Sequence, residues 1–184
     1  MVSGRIEVRQ VSLRGREQVF HTEGPGATLG EGPLFDGGGY IASAVALERS
    51  RVLFLPREEV LALCRRRPEV ALAILAALAR RLRRFAEMVG DLAFRPVAER
   101  LARYLDRAAT SPAPVTGLVI HLELTQAQLA ARLGTVRELI ARALAHLERA
   151  GAIRRQGRRI VIRDRARLRA YARGEGTARV SATE

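Results

Sequence analysis

Apolar residues in the middle of the chain recur with alternating spacings of four and three. They fall at Ala71, Leu75, Leu78, Leu82, Phe85, Val89 and Leu92. A repeat of this kind over about three heptads is typical of a helix that pairs with another helix along an apolar seam. Proline is favoured in a first helical turn and the residue before a proline disfavours helix, so Pro68 and Arg95-Pro96 predict a helix over residues 68–95.

Two interpretations of this helix remain open. Around Leu72 and Ile74 the apolar stripe is wide, which favours packing on the helix's own domain. Beyond Leu78 the stripe narrows between arginines, which favours a dimer seam. We predict that the first half packs partly on its own domain and that the second half pairs with a second copy. The predicted seam consists of Leu75, Leu78, Leu82, Phe85, Val89 and Leu92.

Residues 1–55 have the pattern of short strands interrupted by glycine, and a short helix is predicted to begin near Pro56. Apolar residues alternate with polar ones near Ile6, and further strand signals lie at residues 17–21, 42–46 and 51–55. The density of glycine turns suits an antiparallel roll. This segment is small for a closed β domain, so the predicted roll is partial. We expect either an upstream segment or a dimer contact to cover its open sheet edge.

The C-terminal part, residues 96–184, contains two helices joined by a tight turn. Thr125 followed by Gln128 forms a capping box that predicts the start of the first helix. Gly134 permits a sharp turn, and the second helix extends to about Ala150. Two helices joined in this way predict a helix-turn-helix, which places its second helix in the DNA major groove.

The second helix has one apolar face and one polar face. At 100° per residue, Arg137, Glu138 and Arg142 share the outer face, with small alanines between them. Arginine recognises guanine, and glutamate accepts a hydrogen bond from cytosine. These three residues are the candidate base contacts. The alternative is that they form an ordinary solvated face.

A basic hairpin follows the second helix. Two apolar strand ends flank Gly157, with arginine pairs on both sides, and this pattern predicts a wing that grips the DNA backbone. The predicted phosphate contacts are Thr125, Gln126, Thr135, Arg154, Arg155, Arg158 and Arg159.

Charge and composition support nucleic acid as the partner. Lys+Arg is 32 and Asp+Glu is 19, so the formal net charge is 32 − 19 = +13. The single cysteine, Cys64, allows no internal disulfide, so a cytoplasmic location is expected. The longest apolar run, residues 70–79, is shorter than a membrane span. We find no catalytic set, no metal spacing and no sign of a cofactor, and an enzyme is the least favoured class.

Three segments resemble the cyclic-AMP receptor protein (CRP/FNR) superfamily of bacterial transcription regulators. Residues 124–153 resemble its DNA-binding signature, residues 79–94 its dimer helix and residues 24–35 the glycine corner of its β-roll. The resemblance implies an α+β fold. It consists of a partial cyclic-nucleotide-binding-like β-roll over 1–67, a dimerisation helix over 68–95 and a winged helix-turn-helix over 96–184.

The resemblance also implies roles for single residues. Arg137, Glu138 and Arg142 match the base-contacting triplet that reads TGTGA-like half-sites. Val136 and Leu139 replace residues that usually touch phosphate, so two backbone contacts are expected to be lost. The loop over residues 110–117 resembles the family's polymerase-contacting loop, which favours an activator that contacts RNA polymerase.

The ligand cassette of the family is only partly present. Gly30, Glu31 and Ser43 are candidate ligand-binding residues, but no arginine lies between Glu31 and Arg49 to hold a cyclic phosphate. Phe85-Ala86 replaces the family's adenine-contacting Thr-Ser pair. We therefore predict a homodimeric regulator of palindromic DNA sites that acts without cyclic AMP. A sensor that requires another small ligand and a non-specific architectural DNA binder are the alternatives.

Overall fold

The computed structural model describes residues 1–109, 119–121, 124–157 and 159–176. The chain divides into two compact units, Met1–Val89 and Gly90–Glu184. The fold combines a small antiparallel sheet, a long helix and a C-terminal helix-turn-helix with its own sheet, which confirms the predicted α+β class.

The first unit is built on a three-stranded antiparallel sheet. Its strands are β1 (Ile6–Val11), β2 (Glu17–Glu23) and β3 (Ser43–Ala46), in the order β2-β1-β3. The pairing of β1 with β2 shifts register between Val8 and Arg9, which is a β-bulge. Within the described residues, Ile6 and Val19 are the buried apolar side chains of this unit, so its apolar core is small.

Two features of the first unit differ from the sequence expectation. The expected strand over residues 51–55 does not form: Arg51 makes a single bridge to Ser3, and Val52 and Leu53 are exposed. Residues 51–55 have β propensity, but among the described residues no neighbouring strand pairs with them. A short helix, α1 (Glu31–Asp36), lies where the sequence indicated only turns, and it ends at Gly37 in the left-handed region (φ 71°).

Helices α2 (Arg57–Arg66) and α3 (Pro68–Phe94) follow the sheet. Helix α3 agrees with the helix predicted over residues 68–95. It crosses the boundary between the two units.

The second unit is a winged helix-turn-helix with a continuous apolar core. It contains α4 (Val97–Ala108), β4 (Val119–His121), α5 (Gln126–Leu133), α6 (Arg137–Arg149), β5 (Ile153–Gln156), β6 (Arg159–Ile162) and α7 (Arg165–Ala172). The three strands form an antiparallel sheet in the order β4-β6-β5. Helices α4, α5, α6 and α7 and the hairpin all contribute to one core, whose fully buried members include Leu101, Leu105, Leu129, Ile140, Leu147, Ile153 and Leu168.

Among the described residues, no helix is both long enough and apolar enough to cross a bilayer. The predicted polymerase-contacting loop at residues 110–117 lies outside the described residues.

Candidate nucleic-acid interface

The turn between α5 and α6 is held by local hydrogen bonds. The Thr125 hydroxyl accepts the backbone N–H of Gln128 at 3.2 Å, and the Gln128 side chain accepts the N–H of Thr125 at 2.8 Å. Gly134 ends α5 in the left-handed region (φ 61°), where a β-carbon would be strained. Its N–H donates to the Ala130 carbonyl. The capping box and the glycine turn are therefore both as predicted.

Helix α6 buries one face and exposes the other. Ile140, Ala143, Leu144 and Leu147 are each at most 5% exposed and pack in the core of the second unit. Arg137, Glu138 and Arg142 are exposed, and their side chains make no ion pair with another described residue. A helix anchored on one face with long unpaired polar side chains on the other is suited to entering a major groove.

The predicted phosphate-contacting residues are not equivalent in the structure. Thr125 uses its hydroxyl in the helix cap. Gln126, the first residue of α5, and Thr135, in the turn before α6, are half-buried. Arg154 and Arg159 are exposed on the wing. Arg158 lies outside the described residues.

Arg155 differs from the other wing arginines because it is bonded to α6. Its Nε donates to Glu148 at 2.7 Å, and its backbone N–H donates to the other carboxylate oxygen at 2.8 Å. These hydrogen bonds lower the pKa of Glu148. The sequence indicated Arg155 as a DNA contact and gave no sign of this pair, because a glutamate near a helix end has many possible partners.

The predicted seam residues of α3 fall into two groups. Leu75, Leu82 and Val89 are 59%, 69% and 63% exposed, and Leu92 is 41% exposed. Leu78 is half-buried. Phe85 is also half-buried, with its ring centroid 5.5 Å from that of Phe20 in β2, so it packs inside the first unit.

A further leucine lies on the exposed side of α3. Leu72 is 65% exposed and precedes Leu75 by three residues, while Leu82 and Val89 follow at steps of seven. These four residues form a continuous exposed apolar stripe on the first unit, at the spacing of a heptad.

One of the candidate ligand residues, Glu31, is a buried carboxylate. Glu31 is only 7% exposed and accepts hydrogen bonds from the Arg81 guanidinium at 2.7 Å and from the Thr28 hydroxyl. Burial by itself would raise the pKa of Glu31, but these hydrogen bonds outweigh it and the pKa is lowered. Glu31 therefore stays ionised and paired with a residue of its own unit.

The other two ligand candidates, Ser43 and Gly30, have different surroundings. Ser43 is exposed at the start of β3. The ring of Tyr40 covers Gly30, since a β-carbon placed there would lie 3.2 Å from the ring. The sequence showed that the family's phosphate-binding arginine is missing. It did not show that Tyr40 packs over Gly30 or that Arg81 pairs with the Glu31 carboxylate.

His21 lies beside this cluster. Its Nδ1 is 3.0 Å from a Glu23 carboxylate oxygen, and its ring is 6.3 Å from that of Phe85. Burial and the charge of Arg81 lower the pKa of His21, while Glu23 opposes the shift. Among the described residues, no group of three His, Cys, Asp or Glu side chains is arranged to hold a metal ion.

A groove lies between α3 and the loop before α1. It has a volume of about 600 Å³. Small and apolar side chains, among them Val70, Ala73 and Ala77, line its length, and Arg80 and Arg84 lie among its lining residues.

Comparison with known proteins identifies the family. A cyclic nucleotide-binding domain matches residues 1–67, and a Crp-like helix-turn-helix domain matches residues 99–171. A CRP-like cAMP-activated global transcriptional regulator of Mycobacterium tuberculosis is 32% identical, over 94% of this chain and 78% of its own. The chain belongs to the CRP/FNR family.

Other CRP/FNR proteins agree with this assignment. The cyclic AMP receptor protein of Thermus thermophilus is 36% identical over 95% of this chain and 78% of its own. The crystal structure of a CRP/FNR-family transcriptional regulator from Thermus thermophilus matches with a TM-score of 0.76 and 26% identity, over 95% of this chain and 87% of its own. This CRP/FNR chain is therefore a DNA-binding transcription regulator, and its family consists of regulators and not of enzymes.

Proposed function

We propose that the protein is a homodimeric regulator that binds palindromic TGTGA-like sites and does so without cyclic AMP. The observation that carries the proposal is the exposed triplet Arg137, Glu138 and Arg142 on a helix whose opposite face is fully packed. In this proposal the two arginines recognise guanines and Glu138 recognises a cytosine. Residues 1–67, 68–95 and 96–184 act as β-roll, dimer helix and DNA-binding domain.

The exposed stripe on α3 supports the homodimer. Leu72, Leu75, Leu82 and Val89 leave apolar surface that pairing with the same stripe of a second copy would bury. Such a dimer presents two recognition helices about one DNA turn apart, which requires a palindromic site. Contact of residues 110–117 with RNA polymerase, and hence activation, rests on the family resemblance of that loop.

The cluster around Glu31 supports independence from cyclic AMP. Arg81 already occupies the Glu31 carboxylate, Tyr40 covers Gly30, and no arginine between Glu31 and Arg49 is available to a cyclic phosphate. The relatives named for activation by cAMP are thus expected to differ from this chain in effector response. Calorimetric titration with cyclic AMP should give no binding heat, and micromolar binding would refute this part of the proposal.

Fluorescence anisotropy at about physiological salt tests DNA recognition. We expect a duplex with two inverted TGTGA-type half-sites to bind at least ~10³-fold more tightly than a scrambled duplex, with no small molecule added. Arg142→Ala should cost about 1–3 kcal/mol on the specific site and little on the scrambled one. Equal, salt-sensitive binding to both duplexes would refute sequence-specific recognition and favour an architectural binder.

An effector-dependent regulator is the second candidate, and the groove beside α3 favours it. Its volume of about 600 Å³ is within the range of small-molecule sites, and it combines apolar walls with Arg80 and Arg84. Binding of the half-site duplex by the ligand-free protein separates the two candidates. Tight binding supports effector independence, whereas binding only after addition of a small molecule supports the second candidate.

A further inference from the structure

Helix α6, which is the recognition helix of the proposed function, is joined to the wing hairpin, β5 and β6, by one bidentate contact. Glu148 lies in the last turn of α6, and Arg155 lies in β5. Oε1 of Glu148 accepts the backbone N–H of Arg155 at 2.8 Å, and Oε2 accepts its Nε at 2.7 Å. Both carboxylate oxygens are therefore bound to one residue of the wing, in the short geometry of charge-assisted hydrogen bonds.

The pairing of the hairpin strands places Arg155 apart from the other wing arginines. Gln156 is opposite Arg159 and Arg155 is opposite Ile160, which is only 4% exposed. Since side chains alternate along a strand, Arg154 and Arg159 share one face of the hairpin and Arg155 lies on the other. Both arginines of the first face are exposed, and the charge of Arg154 adds to the effects that lower the pKa of Glu148.

The backbone around this contact is also anchored. The N–H of Ala152 donates to the Leu147 carbonyl at 3.0 Å, and Ala152 and Ile153 are buried. The hairpin beyond Ile153 extends away from this anchor with exposed residues on β5. The Glu148–Arg155 contact thus lies where the anchored base of the wing passes into its exposed part.

We propose that Arg155 is a positioning residue rather than a phosphate ligand, and that Glu148 holds it so that Arg154 and Arg159 meet the DNA backbone at a fixed distance from α6. This inference rests on the proposed function, because it assumes that α6 and the wing bind one duplex. The inference gives Glu148 a favourable role in DNA binding, although a negative charge by itself is repelled by the DNA backbone.

Salt-dependent anisotropy on the half-site duplex tests the inference. Arg154→Gln should lower the slope of log Kd against log salt by about 1, as the loss of one phosphate contact does. Glu148→Gln should weaken binding about tenfold, although it removes a negative charge. Arg155→Gln should weaken binding by a similar factor, and the double variant should be no weaker than either single variant, since both lose the same contact.

Glu175→Gln is the matched control, because it removes an exposed carboxylate that pairs with Arg173 outside the wing. It should leave DNA affinity unchanged or slightly higher. Hydroxyl-radical footprinting gives a second readout: Glu148→Gln should lose protection of the backbone sugars under the wing and keep protection of the backbone sugars where α6 meets the half-site. Circular dichroism melting curves confirm that each variant is folded.

Two results would overturn the inference. One is that Glu148→Gln binds as tightly as the wild type, or more tightly. The other is that Arg155→Gln lowers the salt slope by about 1, as Arg154→Gln does. If the wild-type protein does not distinguish the half-site duplex from a scrambled one, the proposed function fails instead, which is a separate and visible outcome.

Discussion

Replacement of Leu82 by glutamine should disrupt the proposed homodimer without unfolding the chain. Leu82 is 69% exposed in the single chain and lies at the centre of the stripe that contains Leu75 and Val89. Glutamine has nearly the same helix propensity as leucine, so α3 should persist. The change therefore removes apolar contact area at the seam and little else.

The size of the effect follows from the exposed fraction. Full burial of a leucine side chain contributes about 1.5–3 kcal/mol, so burial of 69% of Leu82 contributes about 1–2 kcal/mol in each protomer. Both protomers lose this contribution, which gives about 2–4 kcal/mol for the dimer. At 1.4 kcal/mol for each factor of ten, the dimer dissociation constant should rise about 30- to 700-fold.

Sedimentation equilibrium over a range of protein concentrations measures this constant. Leu13→Gln is a matched control, because Leu13 is fully exposed between β1 and β2 and should leave the constant unchanged. If Leu82→Gln dimerises as tightly as the wild type, the seam does not lie along this stripe. The same variant should bind half-site DNA more weakly, because the second recognition helix no longer reinforces the first.

Two further predictions concern stability. Leu147→Ala should lower the free energy of unfolding by about 2–5 kcal/mol in urea titrations, since Leu147 is fully buried in the core of the second unit. Leu13→Ala, at an exposed position, is the control. A smaller loss of stability for Leu147→Ala than for Leu13→Ala would contradict the packing described. Burial and the charge of Arg81 lower the pKa of His21 in the folded state. As the pH falls, the unfolded chain therefore takes up a proton on His21 before the folded chain does. The free energy of unfolding should fall as the pH drops below about 6.5. Thermal midpoints from pH 7.5 to 5.5 should show this fall in the wild type and a smaller one in His21→Gln, and equal pH profiles would exclude His21 as the cause.

The helix-turn-helix was accessible from sequence because the interactions that define it are local. The bond between Thr125 and Gln128 spans three residues, and Gly134 takes a backbone conformation that other residues rarely adopt. The split of α6 into a buried and an exposed face follows from helical periodicity alone. The strand over residues 51–55 was wrong because β propensity does not show whether a partner strand is present.

Tertiary structure decided the contacts between residues far apart in sequence. The pair of Arg81 with Glu31 joins positions 50 residues apart, and several other arginines of α3 were equally plausible partners by composition. Likewise, nothing local distinguishes Arg155 from Arg154 until the hairpin register turns one of them towards Glu148.

The sequence by itself determined the period of α3, the helix-turn-helix and the three residues that α6 exposes, because each depends on neighbours within one or two helical turns. Only the tertiary structure decided which side of α3 is free. A heptad repeat fits Leu78 and Phe85 as well as Leu75 and Leu82, and contact with Phe20 in β2 turns Phe85 inward. A period specifies spacing along a helix, whereas the direction of an apolar face is set by what packs against it.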